Sequence, residues 1–288
     1  MAAGALAFSV MSLLVKVVGA RLPTMEVVLA RSVITLAITF WLLRGMGTPL
    51  WGEARRLLLL RGLLGFVALS SFYYAVIHLP LADATVIQYT NPVFTALLAA
   101  LFLSERVPPR AVFLSLVSLA GVVIMARPAL LFGGAASLPP IPVAVGVTGA
   151  VFSAAAYTTV RRLGSSEAPL VIVFYFALVS TVGAIPFAAI DFVMPRGVDW
   201  ILLLGIGVST QLGQLFLTLG LRDERAGRVM PVAYLQIVFA ALWGLWFLGE
   251  IPDRWTLAGA AVIVWATWRL SRRPAEPGAG SSEEDREA

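Results

Sequence analysis

The side chains able to do chemistry in this chain are few, and most sit inside long apolar runs. Thr85, Gln88, Pro92 and Thr95 follow one another at steps of three, four and three, with Tyr89 and Asn91 beside them. Such steps share one helical face. Pro92 cannot donate to the carbonyl of Gln88, which frees that acceptor for a ligand or a neighbouring side chain. Pro231 does the same to Gly227, near Tyr234 and Gln236. Paired helix breaks carrying polar groups are what a membrane protein uses to bind a polar solute between two halves. The plainer reading is that each proline only bends its helix for packing.

Other polar residues form weaker stripes. Arg31, Thr35 and Thr39 share one face, and so do Ser9, Ser12 and Lys16. A charge at a helix centre costs roughly 2.5–3.5 kcal/mol on insertion scales, so it is expected to face protein or water. Arg31 is expected to be a cavity cation for a carboxylate or phosphate. Snorkelling and a pairing with Glu26 are the alternatives. Lys16 is open between a cavity cation and a snorkelling side chain. Gln211, Gln214 and Thr218 line another stripe, as a polar path or as ties between helices. Tyr73, Tyr157 and Tyr175 are candidates to stack on a solute, against the common role of aromatics as packing and interface anchors. Asp83 is expected to cap a helix N-terminus. Glu105 and Glu250 are expected to accept hydrogen bonds from the next connector as structural clasps.

The same inventory excludes other chemistry. There is no cysteine and one histidine, His78, so thiol catalysis, disulfides and a histidine metal site lack material. No carboxylates pair within a helix and no phosphate-binding loop is present, so neither an intramembrane enzyme nor an ATP-driven pump is indicated. No cofactor and no metal are expected.

Elements of membrane length must position these groups. Of 288 residues, 59% are hydrophobic and 13% charged, with mean hydropathy +0.90. Soluble chains carry about 25% charged residues. A spanning helix needs about 20 apolar residues. Ten runs fit: 2–20, 25–43, 58–78, 82–103, 110–127, 141–161, 168–190, 199–220, 227–248 and 254–270. The net charge of +5 does not signal a nucleic-acid partner, because the arginines lie in the connectors. Fifteen fall on one side of the implied membrane and four on the other. The positive-inside rule then puts both termini in the cytoplasm. No cleavable signal peptide is expected.

One segment occurs twice, 145 residues apart: YTNPVFTALLAALFLSE from Tyr89 and YLQIVFAALWGLWFLGE from Tyr234. Eight of its positions are identical, Glu105 and Glu250 among them. The copies lie in the fourth and ninth runs, an odd offset of five helices, so the two must insert in opposite directions. The expected fold is an all-α polytopic membrane protein with ten transmembrane helices as two inverted five-helix repeats. The repeats span 1–127 and 141–270, joined by a Gly/Pro-rich linker at 128–140, with a polar, disordered cytoplasmic tail at 271–288.

The run ADATVIQYTNPVFTALLAALFLSERV, the spacing of Glu26 to Arg31 and the five-plus-five layout resemble the EamA family of the drug/metabolite transporter superfamily. The resemblance implies a central cavity between the repeats, with the fifth and tenth helices at the periphery. It implies transport of amino acids, other metabolites, vitamins or drugs without choosing among them. The second copy has Gln236-Ile237 in place of Asn91-Pro92, so the two half-sites are chemically unequal.

The expected function is secondary transport of a small polar or amphipathic metabolite, such as an amino acid or related organic compound, by alternating access. The alternative is a non-transporting membrane receptor or assembly subunit. The expected partners are a small-molecule substrate and the lipid bilayer, with a homodimer as a further candidate and no nucleic acid. The expected location is a bacterial cytoplasmic (inner) membrane.

Overall fold

Backbone N–H and C=O groups in lipid must bond within their own segment, which leaves helices as the natural form of an apolar chain. The computed structural model describes residues 2–91, 94–95, 98, 109–126, 138–163, 166–223 and 235–271. Tyr234, Pro92, Pro231, Glu105, residues 128–137 and the tail from 272 lie outside them. Among the described residues there are ten α-helices and no strand. They are α1 (Ala2–Gly19), α2 (Thr24–Gly45), α3 (Arg55–His78), α4 (Leu81–Gln88), α5 (Pro109–Ala126), α6 (Pro140–Leu163), α7 (Pro169–Ala188), α8 (Val198–Asp223), α9 (Leu235–Trp243) and α10 (Arg254–Ser271).

Several prolines of the connectors are helix starts. Pro23 and Pro80 immediately precede α2 and α4, and Pro109, Pro140 and Pro169 are the first residues of α5, α6 and α7. Proline suits a first turn, where its missing N–H is not needed. Helices α2, α3, α7 and most of α6 are long and apolar enough to cross a membrane. Parts of α1, α9 and α10 are apolar but shorter.

The break expected in the fourth run is present in the backbone. Helix α4 ends at Gln88, Tyr89 and Thr90 form a turn, and Asn91 is helical again. Helix α9 continues into a π-helical turn over Gly244–Leu248, a widening that recurs at functional positions.

Packing partners between the halves exchange when each helix is replaced by the one five later. Helix α1 packs on α8, and α6 on α3; α3 packs on α7, and α8 on α2; α1 packs on α9, and α6 on α4. Helix pairs α2–α7, α4–α9 and α5–α10 are their own counterparts. The register is constant at the 145-residue interval: Pro109–Ala126 corresponds to Arg254–Ser271 residue for residue. Gly62, whose missing Cβ lets α3 meet Val179 of α7, has its counterpart in Gly207, which meets Ile34 of α2.

The apolar core has a large cluster that includes Val15, Val28, Tyr73, Ile87 and Ile206. A smaller one gathers Leu43, Leu58, Leu163 and Tyr175. Polar contacts group the connectors into two ends. At one end Arg21 pairs with Asp199 at 3.1 Å, and the Val193 amide donates to Glu26 Oε2 at 3.1 Å. At the other, the Ala54 amide donates to Glu167 Oε1 at 2.6 Å. Each contact joins connectors that the arginine distribution puts on a common side.

Candidate functional site

Two buried cations meet where α2, α3 and α7 cross. Arg31 comes from α2 and Arg61 from two turns inside α3, and both side chains are almost wholly buried. The guanidinium carbon of Arg31 lies 5.0 Å from the centroid of the Phe176 ring on α7. That of Arg61 lies 4.6 Å from the same centroid. Gly65 makes this possible, since a Cβ there would run into Arg61 Nη1 and the edge of the Phe176 ring. An aromatic face attracts a desolvated cation by about 2 kcal/mol.

The ring does not satisfy the donors. Nε and Nη1 of both arginines are buried without a hydrogen-bond partner. Among the described residues neither guanidinium forms an ion pair with a carboxylate, and the phenols of Tyr73 and Tyr157 are the titratable groups nearest in effect to Arg31 and Arg61. Burying a charge unpaired costs several kcal/mol. The surroundings supply more unused polar groups: the hydroxyls of Thr35, Tyr73, Ser180 and Thr210 are buried and unpartnered. Tyr73 approaches Thr210, though neither meets the other at hydrogen-bonding geometry.

The position of this group in the repeat is informative. Arg31 and Phe176 are counterparts at the 145-residue interval, as are Thr35 and Ser180 one turn further on. They lie on α2 and α7, a helix pair that is its own counterpart. Phe176 thus meets the residue that holds its own place in the other half. The counterpart of Arg61 is the buried Ile206, so the second cation comes from one half alone.

Other expected site residues fall elsewhere. Gln88 donates to Ser153 Oγ of α6 at 3.3 Å. The Tyr89 hydroxyl donates to Gln236 Oε1 at 3.1 Å, which joins the two half-sites directly. Asn91 is half-buried beside them, and its carbonyl accepts from the Thr95 hydroxyl at 2.9 Å. Tyr157 is exposed on the side facing Arg61. Tyr175 is buried in the smaller apolar cluster, with edge contacts to Trp51 and Phe174. Its neighbour Phe176 is the one that carries the cations. Gln211 Oε1 is buried without a partner, and Gln214 lies half-buried one turn away.

Lys16 has partners. Its ammonium donates to the carbonyl of Leu79 and pairs with Glu250 Oε1 at 3.2 Å. Glu250 also accepts from the Leu81 amide at 2.7 Å. The clasp expected of Glu250 thus reaches the first turn of α4 in the other half, not the next connector. The carboxylate meets the open amides and positive dipole end of that helix. The cap expected of Asp83 is absent: Pro80 precedes α4 with no side-chain capping bond, and Asp83 Oδ1 is buried and unpartnered. Asp83, Glu250, Asp253 and Thr256 line a cleft between α4 and α10. The described residues contain no group of acids and histidines able to hold a metal.

Arg61 and Phe176 are the residues that sequence reasoning missed. In the sequence Arg61 stands close to Arg55 and Arg56 and reads as part of the same connector, whereas α3 begins at Arg55 and carries Arg61 inward. The available signal was Gly65, a small residue one turn from a long cation.

Comparison with known proteins adds the following. The model of the EamA-like transporter family matches residues 1–127 and 141–272. The "Pseudopaline exporter CntI" of Pseudomonas aeruginosa (strain UCBPP-PA14) is 41% identical over 266 residues, covering 92% of each chain. "Solute carrier family 35 member G1" of Homo sapiens is 32% identical over 222 residues, 73% of this chain and 60% of that one. A solved structure titled "Crystal structure of protein" superposes with TM-score 0.59 at 19% identity, covering 92% of this chain and 94% of that one. At that identity the likeness speaks for the fold alone.

Proposed function

The chain belongs to the EamA-like transporter family, and from that premise we propose that it moves a small polar or amphipathic metabolite across the membrane by alternating access. It is an integral membrane transporter and not an enzyme, as its relatives are. The working unit is ten transmembrane helices in two inverted repeats, 1–127 and 141–270, joined by the linker 128–140 and followed by the tail 271–288. Both termini are cytoplasmic, and the membrane is the bacterial inner membrane. The relative at 41% identity is named an exporter, and we take export as the direction here.

One observation carries this reading: two buried, unpaired guanidinium groups at the crossing of α2 and α7, where counterpart residues of the two halves touch. A fold keeps such groups when a solute completes them for part of a cycle. Alternating access requires a site that either half can shield, and a self-counterpart helix pair meets that need. Arg31, Arg61, Tyr73 and Tyr157 form the central part of the site. Gln88, Tyr89, Asn91, Tyr234 and Gln236 belong to the path where α4 and α9 meet, with Gln211 and Gln214 on α8. Lys16 and Glu250 belong to a clasp that holds one end of the bundle.

Proteoliposomes loaded with a bacterial metabolite extract test this. The expected result is protein-dependent, saturable release of a small subset of compounds, followed by mass spectrometry. Tight binding of a compound with no release of any would support the receptor reading and sink transport.

A further inference from the structure

Resting on the transporter reading, we infer that the carried metabolite is a dianion whose two carboxylates are held by Arg31 and Arg61, with its carbon body against Phe176. The charge requirement comes first. Two cations lie against one ring, and among the described residues no carboxylate pairs with either. A neutral solute would leave both charges buried and unpaired, and a monoanion would leave one. Two negative charges complete the group, and charge-assisted bonds to guanidinium are the strongest available there.

The donors agree. Each arginine offers two buried unpartnered nitrogens, and the hydroxyls of Thr35, Tyr73, Ser180 and Thr210 are equally unused. A carboxylate accepts up to about four bonds, so two carboxylates match this surplus of donors. The ring then favours a dianion with a carbon body over inorganic phosphate. Phe176 presents apolar surface beside both cations. The carbon spacer of a dicarboxylate covers that surface, while a compact phosphate group leaves it bare. The placement fits a moving site. Arg31 and Phe176, and Thr35 and Ser180, are counterparts across the two halves, so the same ligand contacts can be closed from either side. Because Ile206 stands where the second half would carry its own copy of Arg61, the ligand is bound in one orientation.

The test uses the purified full chain in detergent and measures thermal shift at matched ionic strength. The probes are succinate, glutarate, glycerol 3-phosphate, butyrate and dimethyl glutarate. The dicarboxylates are expected to raise Tm saturably, with butyrate and the neutral diester inert. Arg31→Met and Arg61→Met are each expected to weaken the apparent affinity by at least about tenfold. An equal response to butyrate overturns the inference, and a response to glycerol 3-phosphate alone overturns its carboxylate class. An unchanged dicarboxylate response in both variants also overturns it, since general salt exclusion would then explain the shift. Should a methionine variant not fold, Arg31→Lys and Arg61→Lys keep the charge but lose the planar fork. They are expected to weaken dicarboxylate binding in the same assay, and undiminished binding counts against the inference. The two readings fail separately. Release of only neutral or cationic compounds from loaded proteoliposomes removes the dianion and leaves transport standing. Dicarboxylate binding without any release removes transport and leaves the site.

Discussion

Two regions of this molecule bury cations, and they treat them in opposite ways. At one end Lys16 is held by Glu250 and the Leu79 carbonyl, and Glu250 in turn holds the Leu81 amide. At the crossing of α2 and α7, Arg31 and Arg61 share an aromatic ring and have no anion among the described residues. The clasp ties α1, α4 and the residue just beyond α9, so its charges are saturated by the fold itself. The crossing is unsaturated, and its charges weigh against the fold until something else neutralises them. On the proposed reading, the saturated cation is scaffold and the unsaturated pair is where the solute binds. The contrast also divides residues that look alike in sequence, since Lys16 and Arg31 each stand at one end of a short polar stripe in an apolar run.

The sharpest break of the comparison is a crossover of stability and activity. Arg61→Met and Arg31→Met each remove a buried charge that nothing pairs, and methionine fills the same space. Melting temperature is expected to hold or to rise, by the equivalent of about 1 kcal/mol, because the unpaired donors go with the charge. Export of the native metabolite from proteoliposomes is expected to fall by tenfold or more. A fall in Tm with intact export would make these arginines scaffold and erase the distinction.

The clasp should behave in the reverse sense. Glu250→Ala strips the partner from Lys16 and the cap from the first turn of α4. The expected cost is about 2–3 kcal/mol, less than for a fully buried pair because both side chains keep some contact with solvent. Tm in detergent measures it. The KM for export is expected to stay where it was. The sequence repeats this pair, with Arg161 and Glu105 standing 145 residues from Lys16 and Glu250. Glu105 lies outside the described residues.

Gly65→Ala probes how closely the cations are fitted. The added methyl meets Arg61 and the Phe176 ring, and overpacking of a tight contact costs about 1–3 kcal/mol. Since the displaced atoms belong to the site, KM is expected to rise together with the loss of Tm. A Tm loss with unchanged KM would place Arg61 outside the site.

How much of this was legible beforehand depends on the kind of signal. Apolar runs with proline and arginine between them anticipated most of the described helix ends to within a few residues, whereas the fourth run, 82–103, meets a helix that stops at Gln88. Length and apolarity are local properties, and the bilayer demands them segment by segment. The 145-residue interval was equally visible, and it carries into packing, where the main contacts between the halves exchange at that interval. Charge pairing was not legible. The salt bridge of Lys16 joins residues 234 positions apart in the chain, and no helical spacing points across that distance. Arg61 was hidden by its neighbours Arg55 and Arg56, which made a buried cation look like the end of a connector run. Tyr175 and Phe176 were separable only by the direction each faces on α7. Tyr175 is a stacking candidate in the sequence, and the structure gives the cations to the phenylalanine beside it.

The smallest effect is expected where the half-sites touch. The Tyr89 hydroxyl donates to Gln236 Oε1 at 3.1 Å, and Gln236 is buried. Polar contacts between membrane helices average about 0.6 kcal/mol in double-mutant cycles, because the unfolded chain in lipid also finds partners. Tyr89→Phe and Gln236→Leu, singly and together, measure the coupling between them. A tie that persists through the cycle predicts a coupling of about that size in Tm and no change in KM. A contact that opens to admit the solute predicts the opposite: little coupling in Tm, because the bond forms only part of the time, and a clear change in KM in each single variant. The first outcome would leave the α2–α7 crossing as the site and make α4 and α9 its frame. The second would extend the site from the paired arginines to the broken helices.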